Sequence, residues 1–178
     1  SPVPAVGLAR DVGGLAQGAS VAVGRGAEVE EETNCTGALG DGKTDDGPAI
    51  QACLGELRSF KLRAGALYCL YTDLVVGPGP ESRILGEGTR IRCMMPFLGV
   101  VINAGASLLL QGVSLEYCGQ AQGFSTPTKP AILASGSLTL DLEASIKNSR
   151  YTAVESSAES NQAITLRRGS SIVDSAEN

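Results

Sequence analysis

The segment SLTLDLEASI (137–146) decides the fold prediction, because its apolar and polar residues alternate and because it aligns with AITLRRGSSI (163–172). The alignment superposes aliphatic residues at three positions: Leu138 on Ile164, Leu140 on Leu166, and Ile146 on Ile172. Such alternation is typical of a β-strand with one face in a core and the other in solvent. Within the first segment we expect an inward and an outward set: Leu138, Leu140 and Leu142 inward, and Thr139, Asp141 and Glu143 outward.

An earlier pair of segments repeats in the same manner. RILGEGTRI (83–91) aligns with LLLQGVSL (108–115), and Leu108 in turn corresponds to Leu138. The first alignment pairs three positions: Ile84 with Leu108, Gly88 with Gly112, and Ile91 with Leu115. Equivalent positions recur every roughly 24 to 30 residues without an intervening helix, which indicates a solenoid. The polar stretch GQAQGFSTPTK (119–129) falls in the longest interval and is predicted to be a loop insertion.

These repeats predict an all-β fold, a right-handed parallel β-helix (solenoid). Its coils would stack about 4.8 Å apart and bury a continuous ladder of aliphatic side chains. A single coil cannot bury its apolar face alone, so neighbouring coils stabilise one another. Small residues between the strands are expected to form the corners: Ala104, Gly105, Ala106, Ser135 and Gly136.

The strongest local signal is GALGDGKTDDGPAIQACLGEL (37–57). Six of its residues predict a tight turn followed by a helix cap: Gly40, Asp41, Gly42, Thr44, Asp45 and Asp46. Asp45 or Asp46 is expected to accept hydrogen bonds from the free N–H groups at the start of a helix, and Pro48 suits the first helical turn. Apolar residues then recur at helical spacing, at Ile50, Cys53, Leu54 and Leu57. We predict a short N-terminal capping helix at about residues 46–57, with a structural role for the aspartates.

Composition argues against several classes of function. The chain of 178 residues has a formal charge of -5, and its 14 basic residues are scattered, so we expect no nucleic-acid partner. No apolar run reaches the roughly 18–20 residues of a membrane-spanning helix. The chain has no His, the commonest general base and metal ligand, so we expect no serine triad, no metal site and no cofactor.

The five cysteines form no CxxC pair, which argues against a zinc site. Cys69, Cys93 and Cys118 recur at the spacing of the repeats, and we expect them to be stacked, buried and reduced. A disulfide between Cys35 and Cys53 remains an open alternative for the other two.

The chain divides into two parts. Residues 1–36 are rich in Gly, Ala and Val and predict an extended N-terminal arm, whereas residues 37–178 are predicted to hold the cap and about four to five coils. NCT (34–36) fits the N-glycosylation pattern, which is frequent by chance. The last residues, SIVDSAEN (171–178), lack a cap, and we expect a partner, an identical chain or further sequence to cover that end.

GDGKTDD (40–46) followed by AIQACL (49–54) resembles the opening of polygalacturonases, phage tailspikes and related pectate-lyase-like proteins. In that superfamily a GDGxTDD turn precedes a short helix that caps the first coil. RAGALYCLYTDLVV (63–76) is similar to the family segment PAGxYxIxxxLxL, with Arg63 where Pro is usual. The resemblance implies the fold but does not select a function, because the motif occurs in enzymes and in non-catalytic spikes alike.

We expect a non-catalytic structural or attachment component of a virion, similar to a tailspike, a fibre or a decoration protein. The resemblance to phage appendages implies a homotrimer or larger assembly, located in the virion. Residues 1–36 would bind other virion proteins, and a cell-surface polysaccharide would be the ligand. The absence of Trp and the presence of only 3 Phe and 4 Tyr argue against a sugar-stacking enzyme cleft.

The alternative is a secreted, extracellular β-helix that binds or degrades a polysaccharide, similar to polygalacturonases or pectate lyases and ending before its active site. As an enzyme it would be a polysaccharide lyase or a glycoside hydrolase, the latter with paired carboxylates. The weak catalytic or glycan-binding candidates are four: Asp141 and Glu143, expected on one strand face, and Arg167 and Arg168, the arginine pair. Apart from these four weak candidates, the sequence predicts no catalytic residue.

Overall fold

The structure is a computed structural model that describes residues 33–95, 99–119, 130–149, 153–156 and 163–173. These residues form a parallel β-solenoid of about four turns, mostly β with one short helix, so the predicted fold class is confirmed. The helix and strands within these ranges are β1 Asp41–Asp45, α1 Gly47–Glu56, β2 Ser59–Lys61, β3 Leu67–Leu70, β4 Leu74–Val76, β5 Ser82–Cys93, β6 Val100–Ile102, β7 Ser107–Glu116, β8 Ile132–Ala134, β9 Ser137–Asp141, β10 Ser145–Lys147, β11 Val154–Ser156, β12 Ile164–Leu166 and β13 Ser171–Val173. Residues 1–32 of the predicted arm and residues 120–129 of the predicted loop insertion lie outside the described residues. No helix in the described ranges combines the length and the apolar character needed to cross a membrane.

The strands build two parallel sheets. The larger sheet has the order β1-β3-β5-β7-β10-β13. In addition, β2 pairs with the first half of β5, β9 pairs with the first half of β7, and β12 pairs with β9. Because β5 and β7 run through a corner at Gly86–Gly88 and Gly112, this sheet has two arms. The first arm comprises β2, β9, β12 and the parts of β5 and β7 before the corner; the second arm comprises β1, β3, β10, β13 and the parts after it. The smaller sheet has the order β11-β8-β6-β4.

Apolar side chains stack in register inside the solenoid. Three rows are almost fully buried: Phe60, Ile84, Leu110 and Leu140 in the first arm, Tyr68, Ile91, Leu115 and Ile146 in the second, and Leu74, Val100 and Ile132 in the smaller sheet. Full burial of one such side chain stabilises a fold by about 1.5–3 kcal/mol. The rows therefore supply the main favourable term in the stability of the described coils.

The predicted register is confirmed at most positions. The confirmed pairs are Leu138 with Ile164, Leu140 with Leu166, Ile146 with Ile172, Ile91 with Leu115, and Leu108 with Leu138. The pairing of Ile84 with Leu108 is wrong, since Ile84 lies beside Leu110. The reason is the corner: Gly86–Gly88 in β5 lies opposite Gly112 alone in β7, and this difference in length shifts the register.

Strand β9 ends earlier than the alternation predicts. Leu142 and Glu143 have φ values of 45° and 63°, in the left-handed region, and form a turn. Leu142 is therefore 38% exposed and not inward. Asp141 lies on the outer side as predicted, in register with Gln111, although it is buried at 9% exposure. The predicted shared outward face of Asp141 and Glu143 is wrong for the same reason. The inward orientation of Leu138 and Leu140 is confirmed.

Helix α1 covers the first coil. It begins at Gly47 with Pro48 in its first turn, where the missing N–H group costs no helical hydrogen bond. Its buried residues are Gly47, Ile50, Cys53 and Leu54. Leu57, predicted on the same apolar stripe, is the C-cap residue and is exposed.

Gln51 of α1 completes the edge of the smaller sheet. Its Nε2 donates to the Val75 carbonyl oxygen at 2.9 Å, and its Oε1 accepts from the Val75 N–H at 2.8 Å. Val75 lies in β4, the strand at the end of the sheet order, which has no strand neighbour on that side among the described strands. The side-chain amide thus takes the place of a neighbouring strand and satisfies an exposed edge.

Asp46 is a buried carboxylate at 1% exposure that binds three backbone N–H groups. Its Oδ1 accepts from Leu39 at 2.7 Å and from Gly40 at 3.3 Å, and its Oδ2 accepts from Cys69 at 3.2 Å. Although Asp46 is the N-cap residue by position, its side chain makes no cap hydrogen bond. It joins the turn before the helix to strand β3.

Asp45 supplies the predicted bond to the helix start. Its Oδ1 accepts from the N–H of Gly47 at 3.0 Å and from the N–H of Tyr71 at 3.2 Å. Of the two alternatives for the cap, the structure therefore selects Asp45.

The turn predicted around Asp41 has positive φ at Gly40 and Gly42, of 58° and 74°. Asp41 Oδ1 accepts from the N–H groups of Thr44 and Lys43, each at 2.8 Å, and its Oδ2 accepts from the Thr44 hydroxyl at 2.8 Å. These hydrogen bonds, led by the Thr44 N–H, lower the pKa of Asp41 to about 2.

Two disulfides link the chain, Cys35–Cys53 and Cys93–Cys118. The first is the alternative left open by the sequence. The prediction that Cys93 and Cys118 are reduced is wrong, because stacking of successive coils brings their Cα atoms to 5.0 Å, within the range of a disulfide. Cys69 is free and buried, as predicted, and burial raises the pKa of its thiol. Its predicted stacking on Cys93 is wrong, because Cys69 pairs with Arg92 and Leu70 pairs with Cys93.

Candidate functional site: a basic groove

A groove of about 940 Å³ runs along the outer side of the corner between the two arms of the larger sheet. Residues from successive corners line it, including Gly86, Gly112, Glu143 and Gly169, together with the end of the first arm and the start of the second. We call this feature the basic groove.

The basic groove is cationic although the whole chain has a charge of -5. Four basic and two acidic side chains line it: Lys61, Arg90, Lys147 and Arg168, and Glu87 and Glu143. Lys61 Nζ lies 2.7 Å from Glu87 Oε1, and this hydrogen bond lowers the pKa of Glu87. Arg90, Lys147 and Arg168 form no ion pair within the described residues. Three cations in one groove are therefore available to a ligand.

A row of hydroxyl groups lies beside Arg90. In the second arm Arg90 is paired in register with Ser114, Ser114 with Ser145, and Ser145 with Ser171. The Oγ atoms of Ser114 and Ser145 share a hydrogen bond of 2.8 Å. Because successive strand residues point to opposite faces and Ile91 points inward, this row lies on the outer side of the sheet, where Ser145 is covered to 3% exposure. The groove thus presents a guanidinium and hydroxyls along the direction in which the coils stack.

The next outward row explains why Arg92 is not a fourth available cation. Arg92, Glu116 and Lys147 lie in register on successive coils. Arg92 Nη2 lies 2.9 Å from Glu116 Oε2, and the guanidinium lies 5.1 Å from the centroid of the Tyr117 ring. The positive charge of Arg92 is therefore engaged in an ion pair and a cation–π contact. Lys147, at the other side of Glu116, lines the groove instead.

The four candidates from the sequence are divided by the structure. Glu143 and Arg168 meet at the groove, where the Glu143 N–H donates to the Arg168 carbonyl oxygen at 3.2 Å. Asp141 lies outside the lining, and its Oδ1 accepts from the N–H of the next residue at 2.8 Å, so this carboxylate holds the turn. Arg167 is exposed and also lies outside the lining. No carboxylate pair forms from Asp141 and Glu143 on a strand face.

Sequence reasoning missed the residues that contribute most to the groove: Arg90, Lys147 and the serines of the second arm. A signal exists in RIR (90–92), SLE (114–116) and SIK (145–147), in which polar residues flank one inward aliphatic residue. Aligning these triplets would have placed their polar residues on one outer face.

The protein is thus a parallel β-solenoid that has a capping helix at its first coil and a basic groove along one corner. Among the described residues no group of three or more His, Cys, Asp or Glu side chains is placed to hold a metal ion. Neither a family model, nor a curated protein, nor a solved structure matches the chain.

Proposed function

We propose that this chain is a non-catalytic attachment β-helix of the pectate-lyase-like class, and that it binds an anionic polysaccharide in the basic groove. The observation that carries the proposal is the convergence of Arg90, Lys147 and Arg168, which line one groove without ion pairs to described residues. Like charges on one surface repel one another, so a ligand with negative charges lowers the free energy when it binds there.

The chemistry of the groove fits an acidic sugar polymer. A guanidinium binds a carboxylate or sulfate group with two parallel hydrogen bonds. The hydroxyls of Ser114 and Ser171 can donate to and accept from sugar hydroxyls. None of the described residues that line the groove is aromatic, so charge and hydroxyl contacts would replace ring stacking. An extended polymer can follow the serine row across several coils.

The carboxylates near the groove support attachment over hydrolysis. Glycoside hydrolysis needs two carboxyl groups on either side of one bond, of which one must be protonated. The Asp141 carboxylate binds its own turn. Glu87 is paired with Lys61, and its lowered pKa keeps it ionised. Glu143 then lines the groove without a second carboxylate suited to that chemistry.

Calorimetric titration of the whole chain with oligogalacturonate, and with its neutral methyl ester, tests this proposal. We expect binding of the charged form alone, with an affinity that falls as salt is raised. Replacement Arg90→Gln is expected to weaken binding by about tenfold to a hundredfold, because a hydrogen bond to a charged group contributes about 1.5–3 kcal/mol.

Arg83→Gln is the matched control, since Arg83 is exposed, lies outside the groove lining and is paired with Glu81 at 2.9 Å. Binding of the neutral ester as tight as that of the acid, or equal affinities of the Arg90 and Arg83 variants, would contradict the proposal.

The two disulfides support an extracellular setting. Disulfides persist in oxidising surroundings, such as the extracellular space and the surfaces of cells and virions, and are rare in the cytosol. Cys35–Cys53 and Cys93–Cys118 join four of the five cysteines. We therefore favour a secreted glycan-binding β-helix.

A virion attachment component, assembled as a homotrimer, is the second candidate. It is supported by an apolar row on the outer face of the smaller sheet, where Val75, Val101 and Leu133 lie in register and Val75 is 40% exposed. Packing this row against identical chains would remove apolar surface from water. In this candidate residues 1–36 would bind other virion proteins and the basic groove would bind the cell-surface polysaccharide.

A further inference from the structure

The segment Thr33–Cys35 extends the larger sheet beside β2. The Lys61 N–H donates to the Thr33 carbonyl oxygen at 2.9 Å, and the Cys35 N–H donates to the Lys61 carbonyl oxygen at 3.2 Å. Asn34 is thereby bridged in parallel to Lys61. In such a bridge the N–H and C=O groups of Asn34 point away from β2. Asn34 thus lies at an open edge of the sheet within the described residues.

Exposed and buried side chains alternate along this segment. Cys35 is buried and bonded to Cys53, whereas Asn34 and Thr36 are both exposed. No hydrogen bond joins the Asn34 side-chain amide or the Thr36 hydroxyl to another described residue. The sequence Asn34-Cys35-Thr36 is the one Asn-X-Ser/Thr triplet of the chain. The fold therefore places both residues that define the acceptor triplet at the surface, as N-glycosylation requires.

We propose that Asn34 carries an N-linked oligosaccharide, which shields the sheet edge on which it lies. The proposal rests on the secreted route proposed above, because the same compartment that oxidises Cys35 and Cys53 supplies the sugar donor. In the transfer, Asn34 Nδ2 forms a bond to the anomeric carbon of a lipid-pyrophosphate-linked oligosaccharide. The bond from that carbon to the pyrophosphate breaks, the lipid pyrophosphate leaves with the electron pair, and one amide proton is released.

The oligosaccharide has a physical consequence at this position. A sheet edge with unpaired N–H and C=O groups is a template for pairing with another chain. A bulky, hydrated group on Asn34 blocks the approach of a second strand without disturbing the inner contacts of Cys35. Asn34 thus protects the sheet by its modification, as Gln51 protects β4 by its hydrogen bonds.

The test is secretion of the whole chain from a eukaryotic cell line, with intact mass measured before and after peptide N-glycosidase. We expect the mass to fall by one oligosaccharide, and digestion in heavy-oxygen water to convert Asn34 to a labelled Asp. Asn34→Gln and Thr36→Ala are expected to lose the oligosaccharide completely, whereas Thr36→Ser keeps it. A secreted chain with the Cys35–Cys53 bond formed and Asn34 unmodified overturns the proposal. If a variant is not secreted, peptide mapping of the wild-type chain decides alone.

The shielding role and the polysaccharide site are measured on the same sample. Light scattering is expected to show self-association of the enzymatically deglycosylated chain, and an unchanged size would overturn the shielding role. Titration with oligogalacturonate is independent of both results. If the chain binds oligogalacturonate but Asn34 is unmodified, only the glycosylation proposal is rejected. If Asn34 is modified but the chain does not bind oligogalacturonate, only the proposed function of the groove is rejected.

Discussion

At the scale of single residues, Asp46 joins segments that are far apart in the chain. Its two carboxylate oxygens bind the N–H groups of Leu39, Gly40 and Cys69, and the side chain is withdrawn from water. A buried backbone N–H group that loses its acceptor costs about 1–3 kcal/mol. Asp45 has a smaller task, since it accepts only two bonds, a part-buried one from the N–H of Gly47 at the start of α1 and an exposed one from the N–H of Tyr71.

We predict that Asp46→Ala lowers the free energy of unfolding by about 3 kcal/mol or more, because three N–H groups lose one shared acceptor. Asp45→Ala should lower it by about 1 kcal/mol, as loss of a helix cap does. Urea unfolding followed by circular dichroism measures both values. A loss in Asp45→Ala as large as that in Asp46→Ala would show that the roles are assigned wrongly.

The ionisation of Asp41 should make the stability of the folded chain depend on pH in the acidic range. Its pKa is lowered from 3.8 to about 2 in the folded chain, first by the Thr44 N–H and then by the Lys43 N–H. The folded state therefore binds this proton less tightly than the unfolded state. The stabilisation is fully present above pH 3.8 and is lost as the pH falls to about 2.

The melting temperature of Asp41→Asn, compared with that of the wild type across this interval, is the measurement. We expect a shallower fall with acid in the variant. Parallel curves for the two proteins would exclude a linkage through Asp41.

At the scale of elements, the corners determine how coils are stacked. Gly112 has a φ of 63°, and a Cβ atom there would overlap the carbonyl oxygen of Gly86 in the neighbouring coil. The close approach keeps β5 and β7 paired on both sides of the corner. Gly55 in α1 is the opposite case, because a Cβ atom there would meet no atom within 4 Å.

Gly112→Ala is expected to lower the free energy of unfolding by at least about 2 kcal/mol, since left-handed backbone strain adds to the overlap. Gly55→Ala, the matched control, should raise it by about 0.5–1 kcal/mol, because alanine restricts the unfolded chain and favours the helix. The two variants are compared by thermal and urea unfolding. Equal effects would mean that the corner at Gly112 tolerates a side chain.

At the scale of the whole molecule, the apolar row on the smaller sheet distinguishes the two candidate settings. Sedimentation equilibrium of a trimeric attachment protein should give three times the chain mass of 18.2 kDa. Val101→Lys should then release monomers, because it places a charge in the middle of the buried row. Leu39→Lys, at an exposed apolar residue outside this row, should leave the assembly unchanged. A wild-type monomer would remove the support for the virion candidate.

The sequence alone determined the fold class and most of the inward positions within each strand. Alternation along a strand is a local property, so Leu138 and Leu140 could be assigned to the interior before any partner was known. The turn and helix of residues 40–56 were predictable for a similar reason, because capping and helical spacing involve neighbours in the chain. The division of tasks between Asp45 and Asp46 was not, since Asp46 binds Cys69, which lies in another coil.

Only the tertiary structure decided which residues of different coils lie side by side. The three-residue corner Gly86–Gly88 shifts the register between β5 and β7. The disulfide between Cys93 and Cys118 depends on how these coils stack. The meeting of Arg90, Lys147 and Arg168 in the basic groove depends on coil stacking in the same way. The physical reason is that neighbours across coils depend on the length and geometry of every turn between them. A small change in one turn moves all later contacts, whereas the alternation within each strand remains.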